Sequence, residues 1–504
     1  MTTSRADLPL VVDRSRPLAS QIVTQLRDAV GSGVLLAGER LPSTRDLAAT
    51  LGVSRTVVTT AYAQLFAEGW LEGRHGSGTY VADVTPAPAL PASPAPGIAP
   101  PTPAPSASGI APPTPGIAPP AIDAAPAAPN AQSSARSRDA GSPGSPGSAG
   151  AAGGRELIEL QTGIPWAAGI DPAMWRRAWR QAGTRPPSFW PDPYGLPELR
   201  VALSHYLRRS RGLAVTPDHV LVTRGVSAGL ALLASALIRP GDKVGVEEPG
   251  YEGAREVLSR AGAHVVACPV DGSGVVPYEL PADLRLLYVT PAHQYPLGGR
   301  LPVTRRQALI AWARSAGAVL VEDDYDGEFR YDVAPLPALY SMDPEVVVYL
   351  GTASKILTPV LGIGWLAASP ALVRLLSEKR RKVSDRVAEP VQHALLAMLA
   401  SGDLERHIRR MRLEYARRRA VLMALPGLRG DSAGLHVVLE LPADRPATGF
   451  AKAAAARGVG LSTVNRFYAG PPAINGVALG YGATPLTQVR RAVAALLPLL
   501  SSRP

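Results

Sequence analysis

Apolar residues recur three or four positions apart in the first part of the chain, as they do on the buried face of a helix. The first such run ends at a glycine-rich turn and comprises Leu18, Ile22, Val23, Leu26 and Val30. Ser43 followed by Asp46 is a capping pattern, which predicts a second helix over "PSTRDLAATL". After the turn "GVS", Ser54 can cap a third helix, "RTVVTTAYAQLFAEG". Two short helices joined by such a turn form a helix-turn-helix.

The third helix of a helix-turn-helix enters the major groove of DNA by its N-terminal end. That end holds Ser54, Arg55, Thr56 and Thr59. The following "WLEGRHGSGTYV" predicts a two-stranded wing, whose tip brings Arg74 and backbone amides near phosphate. Tyr62 and Leu65 lie further along the helix and are predicted to be core residues. The pattern therefore predicts a mainly α winged helix-turn-helix that binds double-stranded DNA.

From about residue 155 the pattern changes to short apolar strands that alternate with helices, as in an α/β domain. The segments "HVLVTRGVSAGLALLASALI", "AVLVEDDYDGEF" and "VVVYLGTASKIL" each carry a strand that ends in glycine or polar residues. Ligands of such sheets bind beyond the carboxyl ends of the strands. The residues expected there are Gly225, Tyr251, His293, Asp323, Tyr325 and Lys355.

A lysine, an aspartate and a helix N-terminus at one place suit pyridoxal 5'-phosphate. This cofactor needs an amine for its aldehyde, a carboxylate for its ring nitrogen and an anion site for its phosphate. A cation site at "EDDYD" is less well supported, because neither EF-hand spacing nor convergent histidines accompany it, and no metal is expected. "TRGVSAG" is not a Walker loop, since no Gly-Lys-Ser/Thr follows.

Composition divides the chain into three parts. Residues 86–154 are almost entirely Pro, Ala, Gly and Ser, with 18 prolines in 69 residues and a repeated "GIAPPTP". Such a segment cannot bury enough apolar surface to fold, and it predicts a long disordered linker. The expected organisation is a DNA-binding domain over 1–85, the linker over 86–154, and a large domain over 155–504.

The net charge of +11 also suggests nucleic acid, but residues 1–85 hold 8 Arg and 8 acidic residues. The excess lies in the large domain, much of it between Arg374 and Arg419. Two interpretations of that basic stretch remain open: a solvated helical face and a DNA-backbone surface. The single cysteine, Cys268, and the lack of a long apolar run predict a soluble cytoplasmic protein with no membrane segment.

Residues 10–82 resemble the winged-helix domain of GntR-type regulators. The resemblance rests on "PLASQIVTQLRDAV", "RLPSTRDLAATLGVSRTVVTTAY", "AEGWL" and "GSGTYV". In that family the arginine after "PST", the start of the third helix and the wing tip meet DNA. By match, these residues are Arg45, Ser54, Arg55, Thr56, Arg74, His75, Gly76 and Ser77.

The large domain resembles fold type I aminotransferases, as fused to GntR-type winged helices in MocR-type regulators. The motifs, in the family's order over about 340 residues, are "DPYGLPELR", "TRGVSAGL", "EEPGYEGAR", "TPAHQYPLGG", "EDDYDGEFRY" and "GTASKILTPVLGIGW". The resemblance implies a Schiff base at Lys355, and Asp323 at the pyridine nitrogen. Tyr325 would reach the phenolic oxygen and Tyr251 would stack on the ring. The implied phosphate cradle is Gly225, Val226, Ser227 and Thr352.

Some of these roles have alternatives. Asp324 can hold the role of Asp323, and Tyr251 can simply pack in the core. Tyr194 resembles a tyrosine donated by a neighbouring subunit, or it can also pack. The fold type pairs as homodimers, so two winged helices are expected to meet paired half-sites.

Two departures from the family concern anion binding. Seven residues after the lysine the family usually has an arginine, where this chain has Gly362. The family also has an arginine for the substrate carboxylate just before the last strand. In this chain the equivalent segment, "AINGVALGYG", offers Asn475 and no arginine. Arg466 is the nearest substitute for binding an effector.

These departures favour a regulator with at most residual transaminase activity. It is expected to sense the cofactor, or an amine or amino-acid effector, and to control genes of vitamin B6 or amine metabolism. The alternatives are an active aminotransferase with a fused DNA-binding domain, and a fold that binds no cofactor and serves for dimerisation.

Overall fold

The computed structural model describes residues 10–74, 78–84 and 157–501. The predicted linker over 86–154 and the wing-tip residues His75, Gly76 and Ser77 lie outside the described residues. Within the described residues, no helix is long and apolar enough to cross a bilayer.

The N-terminal domain is a helix-turn-helix followed by a two-stranded wing. Its elements are α1 (Leu18–Gly31), α2 (Thr44–Leu51), α3 (Arg55–Glu68), β1 (Leu71–Arg74) and β2 (Gly78–Val81). The Ser43 side chain accepts a hydrogen bond from the Asp46 amide and caps α2 as predicted. Tyr62 and Leu65 are buried, also as predicted. Ser54 occupies the N-cap position of α3 without a side-chain capping bond, so the predicted cap is wrong in that detail.

The C-terminal part is an α/β domain with ten helices among the described residues. They are α4 (Pro172–Gly183), α5 (Pro197–Arg211), α6 (Val226–Leu237), α7 (Glu252–Arg260), α8 (Val303–Ala316), α9 (Pro370–Lys382), α10 (Glu389–Ala400), α11 (Asp403–Leu422), α12 (Ala447–Ala456) and α13 (Leu486–Ser501).

Its strands fall into three sheets. The central sheet has the order β4-β11-β10-β9-β8-β5-β6-β7, with β4 (Val220–Thr223), β5 (Lys243–Glu248), β6 (His264–Asp271), β7 (Gly274–Val275), β8 (Leu286–Val289), β9 (Val319–Asp324), β10 (Val347–Thr352) and β11 (Gly364–Ala367). A second sheet comprises β12 (Leu428–Arg429), β13 (His436–Glu440), β15 (Ser462–Thr463) and β16 (Gly476–Gly480). A small parallel pair joins β3 (Ile158–Glu159) to β14 (Val459–Gly460).

The central sheet is covered on both faces, and every residue of β4, β8, β9, β10 and β11 is buried. In β9, Leu320 packs into one buried cluster and the next residue, Val321, into the other. Strands β5, β6, β8, β9 and β10 pair in parallel, whereas β11 runs antiparallel between β10 and β4. The carboxyl ends of the parallel strands therefore share one edge of the sheet, where the polar residues of the site follow them.

Two arginines of the basic stretch belong to the core and not to a surface. Arg380 is buried and donates to the carbonyls of Val222 and Pro193 at 2.6 and 3.1 Å. Arg418 is buried against the Trp166 ring and donates to the Gly482 carbonyl at 2.6 Å. For these two residues, both interpretations made from the sequence are wrong, because each guanidinium is buried and is held by backbone carbonyls and a carboxylate, Asp385 or Glu414.

Candidate functional site

A cavity of about 310 Å³ lies at the carboxyl ends of the central strands. It collects residues from segments far apart in sequence, as expected for a sheet of this type. Eight of the nine residues predicted to bind the cofactor line it: Gly225, Val226, Ser227, Tyr251, Asp323, Tyr325, Thr352 and Lys355. The remaining lining residues are Thr162, Gly163, Arg224, Thr290, Tyr295 and Ser354.

Lys355 follows β10 and reaches into the cavity with its amine. Its Nζ donates to the carbonyl oxygen of Gly163 at 2.5 Å. Burial lowers the pKa of the Lys355 ammonium, because a charged amine is poorly solvated there; the carboxylates of Asp323 and Asp326 oppose this effect. A lowered pKa increases the neutral fraction of the amine, the form that attacks a carbonyl.

The neighbouring acids Asp323 and Asp324 take different surroundings. Asp323 lines the cavity, accepts a hydrogen bond from Tyr288 and keeps its buried Oδ1 without a partner among the described residues. Burial raises the pKa of Asp323 to about 7, against the opposing effects of the Tyr288 hydrogen bond and the Lys355 charge. Asp324 forms a fully buried ion pair with Arg211 and accepts from Tyr349 at 2.7 Å. The cavity-facing acid is therefore Asp323.

The N-terminus of α6 provides an anion site on the cavity wall. Gly225 precedes the helix with φ +91° and ψ 179°, a conformation that is essentially restricted to glycine. Val226 and Ser227 of the first turn line the same cavity, and the Thr352 hydroxyl donates to Ser354 Oγ at 2.9 Å. Backbone amides at a helix start are suited to a phosphate.

Aromatic residues form another part of the wall. The Tyr295 ring makes edge contacts with Tyr251 and Tyr325, with ring centroids 6.2 and 5.7 Å apart. Its hydroxyl lies 3.0 Å from Thr162 Oγ1, whereas the Tyr251 hydroxyl lies 3.5 Å from Ser227 Oγ. The wall gives a flat ring both apolar contact and hydrogen-bonding groups.

Histidines do converge behind Tyr325, contrary to the sequence-based expectation. The ring centroids of His293 and His436 are 5.1 Å apart, and donor atoms of both and of Asp326 lie within 4.8 Å of one another. His293 Nδ1 lies 3.0 Å from Asp326 Oδ2 and 2.9 Å from the Tyr325 hydroxyl, and His436 Nε2 lies 2.9 Å from the Pro296 carbonyl. Burial and, to a smaller extent, the neighbouring His293 lower the pKa of His436 to about 4. The hydrogen bonds of this cluster hold the Tyr325 hydroxyl in place.

Two predicted residues lie away from the described lining of this cavity. The Tyr194 ring is half-buried beneath the guanidinium of Arg200, with 4.8 Å between them. Arg466 is exposed, with its guanidinium 4.0 Å from a Glu252 carboxylate oxygen. Asn475 has a structural role, because its side-chain amide donates hydrogen bonds to the carbonyls of Pro442 and Arg445.

The sequence patterns do not identify several residues that line the cavity. Arg224, Thr290, Tyr295 and Ser354 stand inside quoted motifs, but their motifs were interpreted through their neighbours. Thr162 and Gly163 come from a segment without a recognised motif, about 190 residues before Lys355. Only the folded chain brings that segment to the lysine.

The predicted DNA-contacting residues of the two helices are all on the surface. Arg45, Ser54, Arg55, Thr56 and Thr59 are exposed, at the start of α2 and along the start of α3. The Arg55 Nε donates to the Thr44 hydroxyl at 3.3 Å, which links the two helices. Arg74 ends β1 at the base of the wing.

Comparison with known proteins covers both parts of the chain. Residues 18–81 match the family of bacterial regulatory proteins called the gntR family, and residues 156–430 match aminotransferase class I and II. The chain is 35% identical to the HTH-type pyridoxine biosynthesis transcriptional regulator PdxR of Corynebacterium glutamicum, over 95% of each chain. It is 32% identical to the probable rhizopine catabolism regulatory protein MocR of Rhizobium meliloti, over 94% of this chain and 92% of that one.

Solved aminotransferases share the fold of the large domain. An archaeal alanine:glyoxylate aminotransferase superposes with a TM-score of 0.64 at 26% identity, covering 68% of this chain and 91% of that one. A mutant of the Thermus thermophilus aspartate aminotransferase gives 0.61 at 25% identity, over 68% and 96%.

The residues of the cavity fit the cofactor of such enzymes. The lysine amine suits its aldehyde, the unpartnered Asp323 Oδ1 suits its ring nitrogen, and the helix start at Gly225 suits its phosphate. The matched aminotransferase family and fold indicate pyridoxal phosphate. The chain therefore belongs to the MocR-type subfamily of GntR transcriptional regulators, in which a DNA-binding helix-turn-helix is fused to an aminotransferase-like domain.

Proposed function

We propose that this regulator senses pyridoxal phosphate, or an amine or amino acid that reacts with it, in the Lys355 cavity, and that occupancy of the cavity changes its affinity for an operator. Lys355 would carry the bond to the cofactor and Asp323 would face the ring nitrogen. Tyr325 would reach the phenolic oxygen, Tyr251 would stack on the ring, and Thr352 would join the residues from Gly225 to Ser227 around the phosphate.

The observation that carries this proposal is the pairing of two groups in one cavity of about 310 Å³. Lys355 has an amine of lowered pKa, and Asp323 has a buried oxygen without a described partner. A buried carboxylate oxygen without a hydrogen-bond partner is costly, so a ligand that donates a hydrogen bond to it binds favourably.

The same lining supports sensing over turnover. Among its described residues it has one arginine, Arg224, which lies at the phosphate end beside Gly225. An aminotransferase orients the carboxylate of each of two substrates, and arginine is the residue best suited to that task. Arg466, the predicted substitute, pairs weakly with Glu252 at the surface.

The two winged helices of a homodimer would present Arg45, Arg55 and the wing to two operator half-sites. Tyr194 packs against an apolar cluster and beneath Arg200 within its own chain, so the dimer is proposed from the fold type and not from this residue. A ligand changes DNA affinity when it binds two arrangements of such a dimer with different free energies. The names of the two regulatory relatives favour vitamin B6 synthesis or a catabolic pathway as the regulated process.

The test combines absorbance and DNA binding. Wild-type protein is titrated with pyridoxal phosphate beside Lys355→Ala, and both are then titrated with DNA from the protein's own upstream region, with and without the cofactor. We expect a visible band from the lysine-bound cofactor in the wild type, its loss in Lys355→Ala, and a cofactor-dependent DNA affinity in the wild type alone.

Lys382→Ala is the matched control, since Lys382 is an exposed lysine of α9 outside the described lining. An equal band in all three proteins would exclude Lys355 as the attachment point. Sustained amino-group transfer from a panel of amino acids would favour the active-aminotransferase alternative. Unchanged DNA binding without any band would favour a domain that serves only for dimerisation.

A further inference from the structure

The family usually has an arginine seven residues after the lysine, and this chain has Gly362 at that position. Gly362 has no side chain, follows the short turn Pro359–Leu361 and takes a left-handed conformation with φ +54°. It is not among the described lining residues. A phosphate monoester carries between one and two negative charges at neutral pH, and the partial charge of one helix N-terminus does not balance them.

Arg224 stands at the phosphate end of the cavity. It comes directly before Gly225, the residue that opens α6, and it lines the same cavity wall as Ser227 and Thr352. Its side chain is about half exposed, so the guanidinium is accessible to a bound anion.

Asp385 holds this arginine from one side. The Arg224 Nε lies 2.6 Å from Asp385 Oδ1, and within the described part of the chain no other side-chain partner of Arg224 is found. This contact is an ion pair without a hydrogen bond, since Asp385 Oδ1 has no hydrogen-bond partner among the described residues, and the guanidinium nitrogens of Arg224 are available to phosphate oxygens.

Arg380 anchors Asp385 in turn. Its buried Nε donates to the Asp385 carbonyl at 2.9 Å, and its Nε lies 3.5 Å from Asp385 Oδ2. The three side chains carry two positive charges and one negative charge, which leaves one positive charge beside the helix start. The contacts among Arg224, Asp385 and Arg380 therefore place a net positive charge at this end of the cavity.

We propose that Arg224, oriented by Asp385, binds the phosphate of the cofactor and supplies the charge that Gly362 cannot. The proposal rests on cofactor binding in the Lys355 cavity and adds to it a determinant of selectivity for the phosphorylated form. The aldehyde and the ring would contact the opposite end of the cavity, at Lys355 and Asp323.

The experiment measures the affinities of full-length protein for pyridoxal phosphate and for pyridoxal, which lacks the phosphate, by absorbance titration. Wild type, Arg224→Ala and Arg224→Lys are compared with Arg381→Ala, a neighbouring exposed arginine of α9 outside the described lining. Loss of a charge-assisted contact should weaken pyridoxal phosphate binding about ten- to hundredfold in Arg224→Ala. Pyridoxal affinity should stay unchanged, which also shows that the variant is folded.

The ratio of the two affinities decides the outcome. A lowered ratio in Arg224→Ala, partly restored in Arg224→Lys and unchanged in Arg381→Ala, supports the proposal. An equal loss for both ligands, or no loss for either, overturns it. A wild type that binds neither ligand would instead refute cofactor binding itself, so the two failures are distinguishable.

Discussion

At the scale of single residues, adjacent carboxylates at the end of β9 have opposite roles. Successive side chains of a strand point to opposite faces of the sheet, so Asp323 and Asp324 cannot share an environment. The sequence predicts this separation but not which acid faces the cavity. The choice depends on Arg211, more than 100 residues earlier in the chain, which pairs with Asp324 in the core.

Asp323→Asn should stabilise the cofactor-free protein more at pH 8 than at pH 5. Burial raises the pKa of Asp323 to about 7, so the native state holds this proton more tightly than the unfolded chain does. The resulting stabilisation is complete below the unfolded value of ~3.9 and is lost as the pH rises through about 7. The substitution removes that loss, which amounts to roughly 2–3 kcal/mol between the two pH values. Chemical denaturation of wild type and variant at both pH values measures it.

Asp324→Asn is the contrasting variant. It leaves the buried guanidinium of Arg211 without its carboxylate, which should cost about 3–5 kcal/mol at either pH. A pH-independent effect of Asp323→Asn would contradict a raised pKa at this carboxyl. A similar profile for both variants would mean that the two acids share one environment.

Residues of the site were predictable where chemistry and position in a motif coincide. Gly225 and Lys355 follow β4 and β10, and Asp323 lies near the end of β9; each is a residue type that the cofactor needs. Tyr295 was not singled out, because a tyrosine in a loop has no chemical signature until its ring is seen against Tyr251 and Tyr325. The convergence of His293 and His436 has no local signature either, since it depends on contact between the loop that follows β8 and strand β13.

At the scale of elements, the helix caps illustrate what local sequence determines. Ser43 caps α2 through its side chain, whereas Ser54, in an equivalent position before α3, does not. Ser43 is followed three residues later by Asp46 and Ser54 by Val57, whose amide donates to the Ser54 backbone carbonyl at 3.0 Å. Propensity and spacing locate a helix start, but they do not determine whether the side chain makes the capping bond.

Ser43→Ala should loosen α2, while Ser54→Ala should have a smaller effect on α3. Loss of the hydrogen bond to the Asp46 amide costs about 1 kcal/mol, which corresponds to roughly fivefold faster local opening. Hydrogen exchange of full-length protein, compared over Thr44–Leu51 and Arg55–Glu68, measures both effects. Equal acceleration in the two helices would show that Ser54 also acts as a cap in solution.

Strand order was the part of the fold that local patterns did not determine. Alternating short apolar strands and helices predicted an α/β domain, which the structure confirms. The antiparallel insertion of β11 between β4 and β10 depends on pairings such as Leu221 with Leu366, about 145 residues apart. Pairing at that separation follows from the packing of the whole sheet and not from the pattern of one strand.

At the scale of the whole molecule, the excess of positive charge is distributed between core and surface. Arg380 and Arg418 are buried and hold backbone carbonyls together. Arg409, Arg410 and Arg417 of α11 are exposed. Net charge computed from the sequence therefore overstates the charge that is available to a partner.

The exposed arginines of α11 test whether the remaining charge contacts DNA. Arg410 donates to the Gly169 carbonyl at 2.6 Å, and Arg417 lies 3.8 Å from Glu414. Since intramolecular groups already hold two of the three, we expect the triple substitution to Gln at 409, 410 and 417 to leave the salt dependence of operator binding unchanged. Each phosphate contact that is lost would instead reduce the slope of log K against log salt by ~0.9.

Arg418→Gln serves as the comparison, because this buried arginine contacts the Trp166 ring and the Gly482 carbonyl. Its loss should lower the free energy of unfolding and leave the slope intact, since a core arginine does not displace counterions. The triple variant, in contrast, should leave the free energy of unfolding almost unchanged. A slope reduced by two or three units in the triple variant would show that α11 forms a second DNA-contacting surface, and the operator footprint would then extend beyond the two winged helices.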